Sequence, residues 1–340
     1  MGGVARVAMA ACLAWLASAS AGFAQSTLDT VKQRGELVCG VNGDLPGFSL
    51  LNAVKEWEGL DVEFCRAVAA AVLGDAKKVK FVPLNAQQRF AALEAGEIDL
   101  LARNTTVTLQ RTAGPKITFA AINYYDGQGF AVPKRMKIER MTQLRGANVC
   151  VQKGTTHEFN MTGWFRLRAL TVVPMPFDNQ KAMYDAFFAG RCIAVTQDVS
   201  ALAATIVRSG KAADHMMLPD IISKEPLGPL VRTGDDRWLN VVRWTFNAMI
   251  EAEEREITQN NVTGKLEATD AAVKIFLGVT PGNGATLGLD EKWAFNIIHQ
   301  VGNYSESFER NIGARSALGF ARGLNALWTK GGLMYPLPLR

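Results

Sequence analysis

The feature that most constrains the fold of this chain is an internal duplication, because two distant stretches of the sequence follow one pattern. Residues 34–39 (Arg-Gly-Glu-Leu-Val-Cys) correspond to residues 145–150 (Arg-Gly-Ala-Asn-Val-Cys). Further along each half, residues 95–104 correspond to residues 189–198, and both stretches contain a Gly helix stop, an apolar strand and a polar exit. The tandem copies predict two lobes of one architecture.

Strand and helix patterns alternate within each half. Residues 36–41 and 79–84 are predicted strands, and apolar residues recur at helical spacing over residues 60–71 between them. In the second half, a strand at 171–175 precedes a helix at 179–189. This β-α-β order predicts a mostly parallel sheet in each lobe, which makes the chain an α/β protein.

Two predicted strand exits carry the polar residues of a candidate site. Residues 98–102 form an apolar run, and residues 103–111 (Arg-Asn-Thr-Thr-Val-Thr-Leu-Gln-Arg) follow it directly. Because α/β sheets bind ligands beyond the carboxyl ends of their strands, Arg111 could offer its planar guanidinium to a carboxylate there. The matching exit in the second half ends in Asp198. A cation from one lobe facing a carboxylate from the other predicts a receptor for a zwitterion, whereas the alternative is a solvated loop with incidental charge.

The last third of the sequence predicts a return to the first lobe followed by helices. Residues 224–229 (Lys-Glu-Pro-Leu-Gly-Pro) are extended because of their prolines and are expected to cross back. An amphipathic helix is predicted behind Trp238, with further helices at 271–277 and 290–301. Residues 282–288 form a glycine pattern that fails the dinucleotide-binding fingerprint, so we predict a loop there and no cofactor.

The N-terminal residues 1–24 are predicted to be a signal peptide. Arg6 supplies the positive charge, residues 7–16 the apolar core, and a small-residue cleavage site lies near Ala24. Cys12 sits too early in the apolar run to be an acylated lipoprotein cysteine. The mature protein is therefore expected to be exported and soluble, with residence in the periplasm.

The charge of the chain excludes a nucleic-acid-binding protein. The formal net charge is +5, and loss of the signal peptide removes one arginine. No lysine- or arginine-rich block of the required density follows, so no nucleic acid partner is expected. The length suggests roughly two domains with ample core.

Four cysteines remain after the signal peptide, and an even number in an oxidising compartment predicts two disulfides. Three connectivities are open from counting alone. Since a bridge between mobile lobes would lock the cleft, we predict Cys39–Cys65 and Cys150–Cys192, one in each lobe. The cysteine spacings do not match metal sites and the three histidines are scattered, so no metal is expected.

These motifs resemble those of periplasmic solute-binding proteins of polar amino acid ABC transporters, and most closely the general L-amino-acid branch. The resemblance is carried by residues 103–111, by 152–156 (Gln-Lys-Gly-Thr-Thr) and by 196–198 (Thr-Gln-Asp). In the tail it is carried by 222–229 (Ile-Ser-Lys-Glu-Pro-Leu-Gly-Pro) and 322–328 (Arg-Gly-Leu-Asn-Ala-Leu-Trp). It covers essentially the whole mature chain.

The resemblance implies a type II periplasmic-binding-protein fold, in which two α/β lobes are joined by a two-strand hinge. Residues 25–128 and 227–340 would form lobe 1 with a helical C-terminal extension, and residues 129–226 would form lobe 2. The function implied is binding of an L-amino acid between the lobes and its delivery to the permease subunits of an inner-membrane ABC transporter. We expect a monomer that is not an enzyme.

The resemblance also implies roles for individual residues. Arg111 of a Thr-x-x-Arg motif would bind the α-carboxylate, and Thr106 would contact both α groups. Thr156 would donate its backbone amide to the carboxylate, and Asp198 would bind the α-ammonium. The further candidates for the cleft are Asn104 and Gln152, expected to line the side-chain pocket, Thr155, expected with Thr156 at a helix start with free amides, and Arg103, which could select acidic side chains.

The sequence departs from the branch at three positions, where Val107, Thr112 and Ile193 replace its usual Trp, Asp and Asp. These departures bear on specificity, since none of the four α-group residues is lost. With no obligate charge partner assigned to the side chain, we expect broad specificity. Five aromatic residues are predicted to lie in the core rather than the cleft: Phe159, Trp164, Phe165, Phe187 and Phe188.

A lyase and a sensory module are the alternatives to an amino-acid-binding protein. A cyclohexadienyl dehydratase-like lyase would need a general acid in the cleft, and only His157, predicted at a helix start, lies near the motifs. A sensory module would need a membrane or signalling segment, which the sequence does not favour.

Overall fold

The computed structural model describes residues 26–339, which form two α/β lobes. The predicted signal peptide at residues 1–24, with Cys12 and the cleavage site near Ala24, lies outside the described residues. The strands, in chain order, are β1 (Leu37–Val41), β2 (Asp44–Leu45), β3 (Ser49–Leu51), β4 (Trp57–Glu58), β5 (Val79–Pro83), β6 (Leu100–Leu101), β7 (Ile117–Phe119), β8 (Tyr124–Asp126), β9 (Gln128–Pro133), β10 (Asn148–Gln152), β11 (Val173–Phe177), β12 (Ala194–Asp198), β13 (His215–Met217), β14 (Glu225–Leu227) and β15 (Leu230–Arg232).

The helices surround the two main sheets, and several short ones follow lobe 1 at the C-terminal end of the chain. They are α1 (Thr27–Arg34), α2 (Leu60–Leu73), α3 (Arg89–Glu94), α4 (Leu109–Ala113), α5 (Thr156–Arg166), α6 (Gln180–Phe188), α7 (Val199–Arg208), α8 (Asp236–Glu254), α9 (Val262–Lys265), α10 (Ala271–Phe276), α11 (Asn283–Leu287), α12 (Trp293–Gln300) and α13 (Tyr304–Asn311). None of the helices within residues 26–339 combines the length and hydropathy that a membrane span requires.

The predicted duplication is visible in the topology of the two sheets. The sheet of lobe 1 has the order β5-β1-β6-β15-β7, and that of lobe 2 has the order β11-β10-β12-β9-β13. In each, the first three strands are parallel and the fourth is antiparallel to the third. The equivalent residues Cys39 and Cys150 both lie in the second strand of their sheets, but the register to the third strand differs by one residue. Cys39 pairs with Leu100, whereas Cys150 pairs with Val195, which is equivalent to Leu101.

The chain passes between the lobes twice, and the two passages pair with each other. Strand β8 leads from lobe 1 to lobe 2 and pairs antiparallel with β14, which leads back. Gly228, directly after β14, donates its amide to the carbonyl of Thr105 at 3.0 Å. A Cβ atom at Gly228 would lie 2.0 Å from the carbonyl oxygen of Ala121, so only glycine permits this close approach. Pro226 lies within β14, so the proline-containing segment 224–229 does form the return strand, as predicted.

The C-terminal part of the chain packs onto lobe 1 through α2 and α8. The long helix α8 buries Trp238 fully, and the indole Nε1 donates to the carbonyl of Asp99 at 2.9 Å. Helix α12 packs on α2 and α8, and α13 adds an ion pair between Arg310 and Glu63 at 2.7 Å. The prediction of a loop at 282–288 was wrong, because α11 forms there. The Glu291 carboxylate accepts the amide of the N-cap residue Gly282 and those of Gly284 and Ala285 in the helix.

The disulfides of the structure are Cys39–Cys65 and Cys150–Cys192, which are the two pairs predicted. Each joins the second strand of a sheet to a neighbouring segment of the same lobe, and neither crosses between lobes. Phe165 and Phe187 lie in the core of lobe 2. Phe159 was wrongly predicted as a core residue, because it lies on the outer face of α5 and is 79% exposed.

Candidate functional site

The carboxyl ends of β6 and β12 face each other across the cleft between the lobes. The hydroxyl oxygens of Thr106 in lobe 1 and Thr156 in lobe 2 are 3.4 Å apart. Near them, the amide nitrogen Nδ2 of Asn104 donates to Asp198 at 3.4 Å. The two strand exits predicted from the duplication therefore meet, because the lobes are packed against each other in the structure.

Arg111 lies in the short helix α4, just after the exit of β6. The hydroxyl of Thr108 caps this helix by accepting the amide of Arg111 at 3.2 Å. The guanidinium donates to the carbonyl of Thr106 at 2.8 Å and lies over the ring of Phe90, 5.6 Å from its centroid. Burial lowers the pKa of Arg111, although Glu225 and Asp198 act in the opposite direction. The guanidinium keeps its remaining N–H groups for a further acceptor.

Asp198 ends β12 and is 1% exposed. It occupies the N-cap position of α7, yet its side chain makes no capping hydrogen bond. The carboxylate instead accepts from Asn104 and lies 2.9 Å from Nε2 of His157. A buried carboxylate directed away from its own helix and toward the opposite lobe is suited to binding a cation.

Glu225 in the hinge strand β14 is buried at the centre of this site, and the sequence assigned it no role. Its Oε2 atom accepts from the hydroxyls of Thr106 at 2.6 Å and Thr156 at 2.9 Å. Its Oε1 atom accepts from Asn160 at 2.8 Å and from Ser223 at 2.5 Å. One hinge carboxylate thus contacts both lobes.

His157 is in the first turn of α5 and is buried against Asp198. Burial lowers the pKa of His157, but Asp198 and Glu225 outweigh it, so the net pKa is raised. His157, Asp198 and Glu225 each offer a ligand atom, and these atoms lie within 4.8 Å of one another. They could hold a divalent cation in principle, but the Thr hydroxyls already occupy the Glu225 carboxylate, and the neighbouring Arg111 disfavours a cation.

The turn before α5 carries three of the predicted residues. Thr155 is the N-cap residue, but its hydroxyl donates back to the carbonyl of Gln152 at 2.7 Å and not to a helix amide. Gln152 is buried at the end of β10. Gly154 has φ +72°, and a Cβ there would lie 3.3 Å from Gln87 of lobe 1. The turn therefore faces lobe 1 with the amides at the start of α5 near the cleft.

Asn104 and Arg103 occupy the loop after β6. Asn104 has φ +29° and donates its backbone amide to Asp61 at 3.1 Å. Burial raises the pKa of Asp61 to about 7 despite that hydrogen bond. Arg103 is 2% exposed and donates Nε to the carbonyl of Leu84 at 2.7 Å. Burial lowers its pKa to about 10, although Asp61 opposes the change.

Arg89 at the start of α3 is 2% exposed and donates Nη1 to the hydroxyl of Thr105, in the loop after β6, at 3.2 Å. The structure therefore adds Glu225, His157 and Arg89 to the candidates. Glu225 lies in a tail motif that carried the family resemblance, so a signal for it existed in the sequence. His157 directly follows Thr156 and was placed only at a helix start. Arg89 had no signal, because it stands in a helical stretch with no motif around it.

Comparison with known proteins identifies relatives along almost the full length. Residues 37–264 match the family model of bacterial extracellular solute-binding proteins, family 3. The chain is 48% identical over 333 residues to the general L-amino acid-binding periplasmic protein AapJ of Rhizobium johnstonii, covering 97% of each chain. It is 47% identical over 335 residues to the glutamate/glutamine/aspartate/asparagine-binding protein BztA of Rhodobacter capsulatus, covering 98% of this chain and 97% of that one.

Among solved structures, the fold is similar to an ABC transporter periplasmic binding protein from Brucella ovis with glutathione bound. The TM-score is 0.91 at 49% sequence identity, and the match covers 93% of this chain and 99% of that one. The similarity includes the C-terminal helices, since so little of either chain is left out.

Proposed function

The chain belongs to the bacterial extracellular solute-binding proteins of family 3, and on that premise we propose that it binds L-amino acids in the cleft between its lobes. The cleft would hold the ligand until the protein delivers it to the permease subunits of an inner-membrane ABC transporter. The Rhizobium and Rhodobacter relatives are named as amino-acid-binding proteins, which supports the first part of the proposal. The Brucella ovis relative is named as an ABC transporter periplasmic binding protein, which supports the second part.

One observation carries the proposal: Arg111 of lobe 1 and Asp198 of lobe 2 bring opposite charges to one buried cleft. Each lies at the exit of an equivalent strand. The Arg111 guanidinium donates to the backbone carbonyl of Thr106, whereas one carboxylate oxygen of Asp198 pairs with His157 and the other accepts from Asn104. A zwitterion would place its α-carboxylate on Arg111 and its α-ammonium on Asp198. In that arrangement both charges of the ligand would be paired and shielded from water.

The remaining predicted residues complete this role assignment. Thr106 would contact the α groups through its hydroxyl, and the amides of Thr155 and Thr156 at the start of α5 would face the carboxylate. Asn104 and Gln152 would line the side-chain pocket. Because Glu225 holds the hydroxyls of Thr106 and Thr156, a carboxylate that binds them must share or displace these hydrogen bonds.

The lobes would open and close about the paired strands β8 and β14. We propose the limits 25–128 with 227–340 for lobe 1 and 129–226 for lobe 2. The two disulfides leave this movement free, because each stays within one lobe. A cleft that closes on the ligand also explains why so many of its polar side chains are buried.

Specificity would be broad across L-amino acids, because the residues assigned above address the α groups. The Brucella ovis relative with glutathione bound and the general L-amino acid-binding relative both fit a cleft that tolerates different side chains. The periplasm is the proposed location, with export by the signal peptide and cleavage near Ala24. We propose a monomer, with no cofactor and no nucleic acid partner.

Catalysis is the alternative, and one observation favours testing it. His157 and Asp198 form a buried pair that resembles a general acid–base arrangement. Against a lyase, the close relatives are binding proteins, so we propose that the ligand leaves the cleft unchanged.

Calorimetric titration of the mature protein with a panel of L-amino acids tests the proposal. We expect saturable binding with a stoichiometry of one, weak binding of α-keto acids and simple amines, and recovery of the ligand unchanged by chromatography. Prephenate or arogenate incubated with the protein should show no turnover. Absence of binding across the panel, or conversion of a ligand, would overturn the proposal.

A further inference from the structure

The tail after α13 contains the motif Arg-Gly-Leu-Asn-Ala-Leu-Trp at residues 322–328, and the proposed function gives this motif no role. In the structure the motif lies against strand β8, which leads from lobe 1 to lobe 2. The contact is made by Asn325, which is 4% exposed and 200 residues away in sequence from the strand residue that it binds.

Asn325 binds the backbone of one hinge residue through both ends of its side-chain amide. Its Oδ1 atom accepts from the backbone amide of Tyr125 at 2.7 Å, and its Nδ2 atom donates to the carbonyl of Tyr125 at 3.1 Å. A neighbouring antiparallel strand would make the same two bonds to this edge of β8. These two hydrogen bonds form a clamp on the hinge strand, and because an isolated two-stranded ribbon is marginally stable, the clamp stiffens it.

The pairing of Tyr125 explains why this edge of β8 needs a partner. Strands β8 and β14 form a sheet of two strands, in which Tyr125 is opposite Pro226. Proline has no amide hydrogen to donate, and the carbonyl of Pro226 accepts the amide of Val107 in lobe 1 at 2.8 Å. The backbone groups of both hinge residues therefore point away from the ribbon, where lobe 1 binds Pro226 and the tail binds Tyr125.

The tail holds Asn325 firmly in place. Arg322 donates to the carbonyl of Asn325 from Nε at 3.0 Å and from Nη2 at 2.8 Å. The same guanidinium pairs with Glu253 of α8 at 3.0 Å and lies over the ring of Tyr304, 5.1 Å from its centroid. The hydroxyl of Tyr304 donates to the carbonyl of Asn123, directly before β8, at 2.8 Å. The clamp is thus tied to lobe 1 at several points.

The residues that follow Tyr125 are bound by lobe 2. The carboxylate of Asp126 accepts from the hydroxyl of Ser200 in α7. The carbonyl of Gly127 accepts the amide of Val199, in the same helix, at 2.9 Å. Since the tail fixes Tyr125 to lobe 1, rotation between the lobes on this passage is concentrated in the backbone directly after Tyr125, among the last residues of the proposed lobe 1.

We propose that Asn325 is a positioning residue of the hinge, through which the C-terminal extension fixes the axis about which the lobes close. The clamp restricts the ligand-free protein to lobe orientations that can close on a ligand. The inference rests on the proposed function, because it supposes that the lobes open and close about β8 and β14. Without the clamp a smaller fraction of the molecules could close, so every ligand would bind more weakly.

The variant Asn325→Leu tests the proposal, because leucine has a similar size but can neither donate nor accept. Spin labels are attached at Ala91→Cys in α3 and Arg166→Cys in α5, two exposed helical positions in different lobes. Within residues 26–339 the native cysteines are all in disulfides, so only the introduced thiols react. Double electron–electron resonance without ligand should give a broader distance distribution in Asn325→Leu than in the protein with Asn325.

The affinity for ligand is the second measurement. Ordering the backbone of one residue changes an equilibrium constant about 5- to 30-fold. Calorimetry should therefore show the Kd of L-alanine, L-leucine and L-glutamine rising by one common factor in that range in Asn325→Leu. Asn325→Asp keeps the acceptor for the Tyr125 amide but cannot donate to the Tyr125 carbonyl, so its Kd values should rise by less.

The matched control is Asn247→Leu in α8. Asn247 is 6% exposed and also binds two backbone groups, since Nδ2 donates to the carbonyl of Arg243 at 2.9 Å and Oδ1 accepts the amide of Leu337 at 2.8 Å. These bonds tie the tail to α8 and not to the hinge. Asn247→Leu should lower the melting temperature about as much as Asn325→Leu, but leave the distance distribution and the Kd values unchanged.

The outcomes separate this inference from the proposed function. Equal ligand-free distance distributions with and without the Asn325 side-chain amide would overturn the clamp, and so would the same broadening in Asn247→Leu. If Asn325→Leu does not fold, Asn325→Asp is used in the same comparison. Failure of the wild-type protein to bind any amino acid would overturn the proposed function, whereas the ligand-free distances would still decide whether Asn325 restrains the hinge.

Discussion

Replacement of Arg111 by methionine is the sharpest test of the α-carboxylate anchor. Methionine keeps an unbranched apolar stem that can still pack on Phe90, but it removes the guanidinium. In the fold itself the guanidinium makes one hydrogen bond, to the carbonyl of Thr106. Any larger effect on ligand binding must therefore come from a contact that forms only with the ligand.

The structure sets different magnitudes for folding and for binding. Loss of one hydrogen bond to a backbone carbonyl costs about 1 kcal/mol, which corresponds to a fall of roughly 2–4 °C in melting temperature. Truncation of one partner of a buried charge pair costs about 2–5 kcal/mol of binding free energy. At 1.4 kcal/mol for each tenfold change, the Kd of every amino acid should rise roughly 30- to 4000-fold.

Calorimetry measures the Kd, and thermal melting without ligand measures the cost to the fold. Three ligands with different side chains, L-alanine, L-leucine and L-glutamine, should lose affinity by similar factors, since all three present the same carboxylate. Arg66→Met is the control, because it removes another arginine of lobe 1, one that lies over the ring of Phe81 and donates to the Trp57 carbonyl. A folded Arg111→Met protein with wild-type affinity would refute the anchor assignment.

Three further predictions address the ammonium site, the histidine and a disulfide. Asp198→Asn should weaken binding of all L-amino acids by similar factors, and titrations in which it reorders their affinities would contradict a role at the α-ammonium. Because the pKa of His157 is raised above its unfolded value, its stabilising contribution is fully present below about pH 6.5 and is lost as the pH rises through the folded pKa. The melting temperature of the ligand-free wild type should therefore exceed that of His157→Gln by more at pH 6 than at pH 9, and an equal difference at both would refute the charged state of His157. Removal of the Cys150–Cys192 bridge, which closes a separation of 42 residues, should cost about 4 kcal/mol of unfolding free energy by loop entropy, measured by urea denaturation of the double alanine variant.

The duplication in the sequence was sufficient to predict two lobes, because strand and helix periodicity are local properties that need no knowledge of contacts. It also located Arg111 and Asp198, since Asp198 ends one apolar strand and Arg111 lies in the polar segment that follows the equivalent strand, and the carboxyl ends of such strands face the ligand side of an α/β sheet. The disulfide pairs followed from the same division into lobes. Strand and helix patterns and the positions of the strand exits can be predicted because they depend on residues that are close together in the sequence.

Other features were decided only by tertiary packing. Phe159 was expected in the core because it is aromatic, but which side of α5 is covered depends on the sheet against which the helix packs, and Phe159 is on the other side. Residues 282–288 looked like a loop because glycines disfavour helices. Asparagine and threonine between those glycines nevertheless form α11, since the Glu291 carboxylate accepts the free amides at its start.

The residues that line the site show most clearly what the sequence could predict and what only tertiary packing decided. Glu225 is 119 residues from Thr106 and 69 from Thr156, so no local pattern could join the three side chains around one carboxylate. Arg89 looks in sequence like any arginine in a helix, where the default expectation is a solvated charge. Only the packing of α3 against the loop after β6 buries it, and within residues 26–339 it forms no salt bridge, although Asp198 lies near enough to favour its charge. Burial and compensation of a charge depend on every segment that surrounds it and not on its neighbours along the chain.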